Sequence, residues 1–372
     1  SDIHFDGRLQ TVPTTTVALD NFEGQQELLE SSRVLINASA KPLLVLGYGI
    51  RLAGISVRLE EIIERYSIPF VTTWTAADLF PTDHPLNLGI IGMSGQRGAN
   101  KAAFTADTLI CLGTHLSIPH TTTLFDNYAP QAKKIIVNID QDQLDNLNVH
   151  FDLKIKGDVN AYLEWLATRE LKVFNWADLK VFKDANWHEP KINDRPNSNT
   201  YIHELTSTLQ GRTCLIVDGG GTALYAGFQS SSLKDNDRII CSSAISAMGT
   251  GLAESIGASK CAGFDKFLCI IGDGSFLMNV QDLQTIRQDN VDIIISVINN
   301  NGYLAIRKTQ KEFLGGRYYG THPEYNLKMP SIEKIAIAFE IPYVFLDKAV
   351  DIDSAIEKIL GTKGPIICEV LV

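Results

Sequence analysis

Residues 272–302, GDGSFLMNVQDLQTIRQDNVDIIISVINNNG, hold two groups able to do chemistry together. Asp273 stands between two glycines directly after the apolar run FLCII, and three asparagines follow the apolar run VDIIISVI. A carboxylate and an amide oxygen are hard ligands. One acidic ligand is too few for an all-protein calcium cage, but it suits a Mg2+ that completes its octahedron with phosphate and water. Gly274 and Ser275 open the next segment, where helix-terminal N–H groups would seat the phosphate. Gly272 and Gly274 permit a sharp turn and a close approach to a ligand. Taken singly, these residues have plainer roles, Asp273 as a helix cap and the asparagines as a tight turn. Their placement at two successive strand ends favours a shared cation with Asp273 and Asn300 as ligands. The chain has no G-x-x-x-x-G-K-[ST], so a P-loop is excluded.

The elements that must position this pair follow from periodicity. Phe276, Val280, Leu283 and Ile286 recur on one face, which predicts a single amphipathic helix over 275–290. A strand, a helix and a strand in this order form a right-handed crossover, with the two strands parallel and often adjacent. Neighbouring strands lie about 4.8 Å apart, so both side chains would project from one carboxyl edge. The same alternation runs through the chain. Strands are expected at 42–47, 68–74, 108–113, 134–139 and near 155, then at 214–218, 238–242, 267–271, 292–298, 343–346 and 366–372. Helical spacing marks 52–66, through Leu52, Ile55, Leu59, Ile62 and Ile63, and also 329–340. The expected fold class is α/β, with two doubly wound parallel-sheet domains. We read a leading linker over 1–25, a central Rossmann-like domain over 26–172, a linker over 173–198 around NWHEPKINDRPNSNT, and a second domain over 199–372.

Bulk properties narrow the function classes. The 372 residues carry a net charge of −10, which disfavours nucleic-acid and anionic-membrane partners. No apolar run reaches the roughly 20 residues of a membrane span, and the first residues lack the pattern of a signal peptide. The six cysteines include no C-x-x-C pair and mostly sit in apolar runs. They read as buried, reduced thiols of a cytoplasmic protein.

GDG, 24 residues and then NN resembles the signature of thiamine-diphosphate enzymes. In that family the aspartate, the second asparagine and a carbonyl two residues on hold Mg2+, which the resemblance carries to Asp273, Asn300 and Gly302. AMGTGLAESIGA, at 247–258, is similar to an acetolactate-synthase-like segment. It implies that Met248 wedges thiamine into its bent shape and that the Ser246 backbone contacts the aminopyrimidine. VDGGGTALY, at 217–225, falls where relatives carry a diphosphate loop, implying contacts from Gly220, Gly221 and Thr222. Gly272, Gly274, Ser275 and Tyr303 complete the cofactor set. The implied second domain is thus a thiamine-diphosphate- and Mg2+-binding domain.

The resemblance further implies a decarboxylase or carboligase that passes the acyl unit of a 2-keto acid to a carbonyl acceptor. It implies a homodimer or homotetramer and a pyrimidine-binding domain, of the same or another chain, that supplies the activating glutamate. We read these 372 residues as the central and diphosphate-binding parts of a longer enzyme, inactive on their own. Where acetolactate synthases carry Arg-Phe-Asp-Asp-Arg near FAD, this chain has His115-Leu-Ser-Ile-Pro-His120, so FAD is left open. Thr309 stands where those synthases have a substrate-selecting tryptophan, among Arg307, Lys308 and Arg317. That suggests a larger or anionic acceptor, such as a nucleotide-linked keto sugar. Two rivals remain: an NAD-linked oxidoreductase, from GYGIRLAG with Gly47 and Gly49, and a non-catalytic sugar-nucleotide module. The first is weakened by Leu52 at the third glycine position.

Overall fold

The computed structural model describes residues 22–54, 57–123, 125–186, 194–242, 245–261 and 263–372. Among the described residues, twelve strands form two six-stranded sheets. The first contains β1 (Pro42–Leu46), β2 (Phe70–Thr72), β3 (Asn87–Ile90), β4 (Thr108–Leu112), β5 (Lys133–Asn138) and β6 (Leu153–Lys156), ordered β3-β2-β1-β4-β5-β6. The second contains β7 (Thr213–Val217), β8 (Arg238–Cys241), β9 (Lys266–Gly272), β10 (Ile293–Asn299), β11 (Tyr343–Leu346) and β12 (Ile366–Leu371), ordered β11-β12-β10-β9-β7-β8. Every pairing is parallel.

Continuous apolar runs become strands because both faces of each sheet are covered. In β9, Leu268 and Ile270 point into one core, while Phe267, Cys269 and Ile271 point into the other. Strand β10 splits in the same way, with Ile294 and Ile298 against Ile293, Ile295 and Val297. The first sheet divides likewise, Leu44 and Leu46 of β1 facing away from Leu43 and Val45. The two units meet through Trp74, which stacks on Phe228 with ring centroids 5.4 Å apart. The buried Asp78 carboxylate joins them electrostatically. It accepts from Arg51 Nη2 at 2.8 Å, from the Ile239 N–H at 3.0 Å and from Arg238 Nη1.

Several expectations need correction. The segment 275–290 is not one helix. Helix Asp273–Met278 stops at Asn279 (φ −131°, ψ 36°), a short 3-10 turn spans Val280–Asp282, and a second helix runs Leu283–Gln288. The Asn279 side chain donates to the Gly249 carbonyl at 2.7 Å, an alternative to helical bonding that asparagine readily takes. Phe276, Leu283 and Ile286 still reach the core. The helical stretch at 52–66 is helix Gly49–Leu52 followed by helix Val57–Tyr66. Leu52 is exposed rather than buried, while Leu59, Ile62 and Ile63 are in the core, and Ile55 lies outside the described residues. The expected helix at 329–340 is confined to Ile332–Ala338.

The expected linkers contain structure. Within 173–198, helix Leu179–Asn186 packs Phe182 into the first unit, and Asn186 Oδ1 accepts the Ala99 N–H at 3.0 Å. Residues 187–193 lie outside the described residues, as do 1–21 of the leading segment. Phe22 is buried, its ring filling the space over Gly157. Strand β3 was not expected at all. Of the cysteines, Cys111, Cys214, Cys269 and Cys368 are buried free thiols, Cys241 is half-buried and Cys261 is exposed.

Candidate cofactor site

The crossover from β9 to β10 is parallel, with Ile298 beside Gly272 in the register. Asp273 and Asn300 therefore leave neighbouring strands at the same edge. Asp273 is the first residue of its helix, not a residue before it. Its Oδ2 accepts the Gly302 N–H at 2.7 Å and its Oδ1 accepts the Gly274 N–H at 2.9 Å. The Gly274 amide is thus taken by the carboxylate and offers no separate phosphate seat, contrary to expectation. Burial pushes the Asp273 carboxyl up from 3.8 to about 6, against the pull of the Gly302 and Gly274 amides and of Arg307.

The three asparagines divide the work of the turn. Asn299 Nδ2 donates to the buried Glu369 at 2.6 Å, and its Oδ1 accepts the Asn301 N–H at 2.8 Å. Asn301 (φ 58°) and Gly302 (φ 115°) take the positive backbone angles that reverse the chain. Asn300 is left facing the pocket. Its Nδ2 donates to Thr222 Oγ1 at 3.1 Å, while its Oδ1 is buried with no hydrogen-bond partner. A buried amide oxygen without a partner is costly, and it is the atom a cation would satisfy. The Gly302 carbonyl accepts from the Leu304 N–H at 3.1 Å, which leaves it a second lone pair.

One pocket of about 330 Å³ collects Gly220, Gly221, Thr222, Met248, Gly272, Asp273, Gly274, Ser275, Asn300, Gly302 and Tyr303. Ser246 is the exception; its carbonyl instead lies against the Gly219 backbone. Glycines keep the walls thin. A Cβ on Gly220 would come within 2.5 Å of Ser275 Oγ, and one on Gly274 within 2.4 Å of the Tyr303 ring. The ten-residue helix Gly221–Ser230 starts at the rim, so its first-turn amides lack intrahelical acceptors. A carboxylate, an unsatisfied amide oxygen, a carbonyl and a helix start suit a Mg2+-bound diphosphate. Among the described residues no three His, Cys, Asp or Glu side chains gather as a softer or more acidic metal site.

Sequence reasoning missed part of this site. Leu304, Ala305 and Ile306 form an apolar wall. Asp218, at the end of β7, accepts amides from both glycine loops. The signal was present, since Asp218 precedes glycine at a strand end just as Asp273 does. Arg307 was expected to face an acceptor, but its guanidinium is spent on backbone. Nη1 donates to the Asn301 and Thr321 carbonyls, both at 3.0 Å, and Nη2 to the Asn300 carbonyl at 3.1 Å. It clamps the asparagine turn. His115 lines a separate open groove with Ile118, Gln143 and Asn146. His120 packs edge-on against Trp74 and is pushed down to about 4 by burial and by His115.

Fold and site together define an α/β protein with a glycine-walled crevice suited to a metal-bound diphosphate. Residues 30–166 match the thiamine pyrophosphate enzyme central domain, and residues 219–370 match the thiamine pyrophosphate enzyme C-terminal TPP binding domain. The chain belongs to the thiamine pyrophosphate enzymes. It is 27% identical to the acetolactate synthase isozyme 2 large subunit of Escherichia coli K12, over 92% of this chain and 62% of that one. It is 29% identical to acetolactate synthase 1, chloroplastic, of Zea mays, over 93% and 56%, and 28% identical to the acetolactate synthase large subunit of Cyanidium caldarium, over 92% and 60%. The chain therefore spans about three fifths of the length of these relatives. Among the described residues no helix is long and apolar enough to cross a membrane.

Proposed function

We propose that this chain forms the cofactor-anchoring part of a thiamine-diphosphate-dependent 2-keto acid decarboxylase or carboligase of the acetolactate synthase type. The observation that carries the reading is the buried, unpartnered Asn300 Oδ1 beside the Asp273 carboxylate in a glycine-walled pocket. Asp273, Asn300 and the Gly302 carbonyl would hold Mg2+. Gly221 and Thr222, at the start of helix Gly221–Ser230, would receive the diphosphate beside Gly220, whose amide is taken by Asp218, and Met248 would support the ring. Thiamine diphosphate, when bound, supplies an electron sink for the charge released as a 2-keto acid loses CO2.

The residues of the chain do the holding. Arg307 and Glu369 fix the asparagine turn from two sides, so that Asn300 keeps its aim. Leu304 and Ile306 are about half exposed beside the pocket, as are Met278 and, more fully, Ile245 near the Met248 loop. These apolar side chains fit cover by a pyrimidine-binding domain, which on this reading brings the activating glutamate and makes the assembly a dimer or tetramer. With Arg307 committed to carbonyls, the residue that pointed to a charged acceptor is occupied, so the acceptor is proposed only as a carbonyl compound. The oxidoreductase rival loses its site, because the Gly47–Gly49 turn is packed against Gly113.

Thermal melts of the 372-residue chain with thiamine diphosphate plus Mg2+, with NAD and with a UDP-sugar test the reading. Stabilisation by the first alone is expected, with no turnover of a 2-keto acid until a pyrimidine-binding domain is supplied. Stabilisation by NAD or the UDP-sugar alone would overturn it.

A further inference from the structure

Asp218 is fully buried at the end of β7, and among the described residues it forms no ion pair. Its carboxylate is satisfied by backbone instead. Oδ1 accepts the Gly220 N–H at 3.0 Å, and Oδ2 accepts the N–H groups of Gly249 and Gly251 at 2.9 and 3.0 Å. Gly220 opens the loop that leads into helix Gly221–Ser230. Gly249 (φ 85°) and Gly251 begin helix Thr250–Ser259, directly after Met248. One side chain thus ties together two loops that are about thirty residues apart in sequence and supply different walls of the pocket.

The backbones of these loops also touch. A Cβ on Gly219 would lie 2.1 Å from the Ser246 carbonyl oxygen, and one on Gly251 would lie 3.3 Å from Asp218 Oδ2. Burying a carboxylate without a cation is unfavourable unless well-aligned hydrogen bonds replace its lost solvation. Here burial raises the carboxyl's pKa, while the Ser275 hydroxyl and the three amides pull it back.

We propose that Asp218 is a positioning residue, which sets the Met248 loop against the Gly220–Thr222 loop and so fixes the distance between the ring-facing and diphosphate-facing walls. The proposal rests on the thiamine-diphosphate reading above. Its test is calorimetry with two probes, thiamine diphosphate and inorganic diphosphate, each with Mg2+. The wild-type chain binds thiamine diphosphate more tightly, because the ring adds contacts. In Asp218→Asn the amide group meets amide donors with its own NH2, and the ring's share is lost. Thiamine diphosphate binding falls about tenfold or more, towards the inorganic diphosphate value, which itself changes less than about threefold.

Equal losses for both probes, or no loss for thiamine diphosphate, would overturn the proposal. Should Asp218→Asn fail to fold by circular dichroism, Gly251→Ala carries the test. Its Cβ would press on Cys269 Sγ at 3.1 Å and Asp218 Cβ at 3.2 Å, displacing the helix start while keeping the carboxylate. The same selective loss is expected, and its absence contradicts the proposal. A wild-type chain that binds neither probe would instead overturn the reading of the pocket itself, and with it this inference.

Discussion

The two sheets present the same kind of crevice and use it differently. In each, the first strand has neighbours reached in opposite directions, β2 and β4 around β1, and β8 and β9 around β7. Open α/β sheets bind ligands where the order reverses in this way. Between β1 and β4 the crevice is shut. The Gly47 N–H donates to the Leu112 carbonyl and the Gly49 N–H to Gly113, both at 2.9 Å, and a Cβ on Gly47 would sit 2.2 Å from the Gly113 oxygen. Between β7 and β9 the glycines stand further apart, a Cβ on Gly272 reaching only to 3.9 Å from the Gly220 oxygen, and they line a pocket with Asp273 and the unsatisfied Asn300 oxygen at its wall. Glycine at a strand end therefore shows only that something approaches closely. Whether that is another loop or a ligand is decided by the polar atoms left over.

The comparison breaks most sharply at Asp273. Asp273→Ala should abolish Mg2+-dependent binding of thiamine diphosphate in calorimetry, beyond the roughly 10–100-fold that loss of a supporting residue costs. The apo melting temperature should change little, since relief of a buried carboxylate is offset by loss of its bonds to the Gly302 and Gly274 amides. Next in size, Arg307→Ala frees the asparagine turn, and binding should weaken about tenfold, the loss of charge-assisted bonds to three carbonyls. An unchanged affinity would show that Glu369 alone fixes the turn.

A pH effect comes third. The Asp273 carboxyl is raised from 3.8 to about 6 in the folded chain. Between these values Asp273 binds more protons in the folded state than in the unfolded one, so its contribution to apo stability falls as pH rises from about 4 to about 6 and then levels off. A bound cation favours the carboxylate, so stabilisation by Mg2+ and thiamine diphosphate should grow over the same interval. Melts from pH 4 to 7 with and without ligand check both, and Asp273→Asn should remove the ligand-dependent slope and this residue's share of the apo slope. The smallest effect on binding is expected in the closed crevice. Gly47→Ala should cost at least about 2 kcal/mol of stability in denaturant titrations and leave thiamine diphosphate affinity unchanged.

Much of this was legible because the chemistry restricts residue types. Few residues other than aspartate and asparagine serve Mg2+ from strand ends, and the long apolar runs of β9 and β10 mark the strands that carry them. Strand β3 was hidden because Asn-Leu-Gly-Ile is a short edge strand with little apolar pattern. The break at Asn279 was invisible to periodicity, since Phe276, Leu283 and Ile286 remain on the buried face across it. Asp218 reads as part of a flexible turn until Gly249 and Gly251 arrive from a distant stretch. The true partners of Arg307 are carbonyls, which sequence does not distinguish from any others.

The central claim is that Asp273 and Asn300 share one divalent ion. Crystals grown with thiamine diphosphate and Mn2+ in place of Mg2+ would test it through anomalous scattering from the metal. The expected result is a single strong peak in the pocket, about 2.0–2.3 Å from an Asp273 carboxylate oxygen and from Asn300 Oδ1. A peak that touches only one of the two, or a bound diphosphate with no metal between it and these residues, would contradict the account.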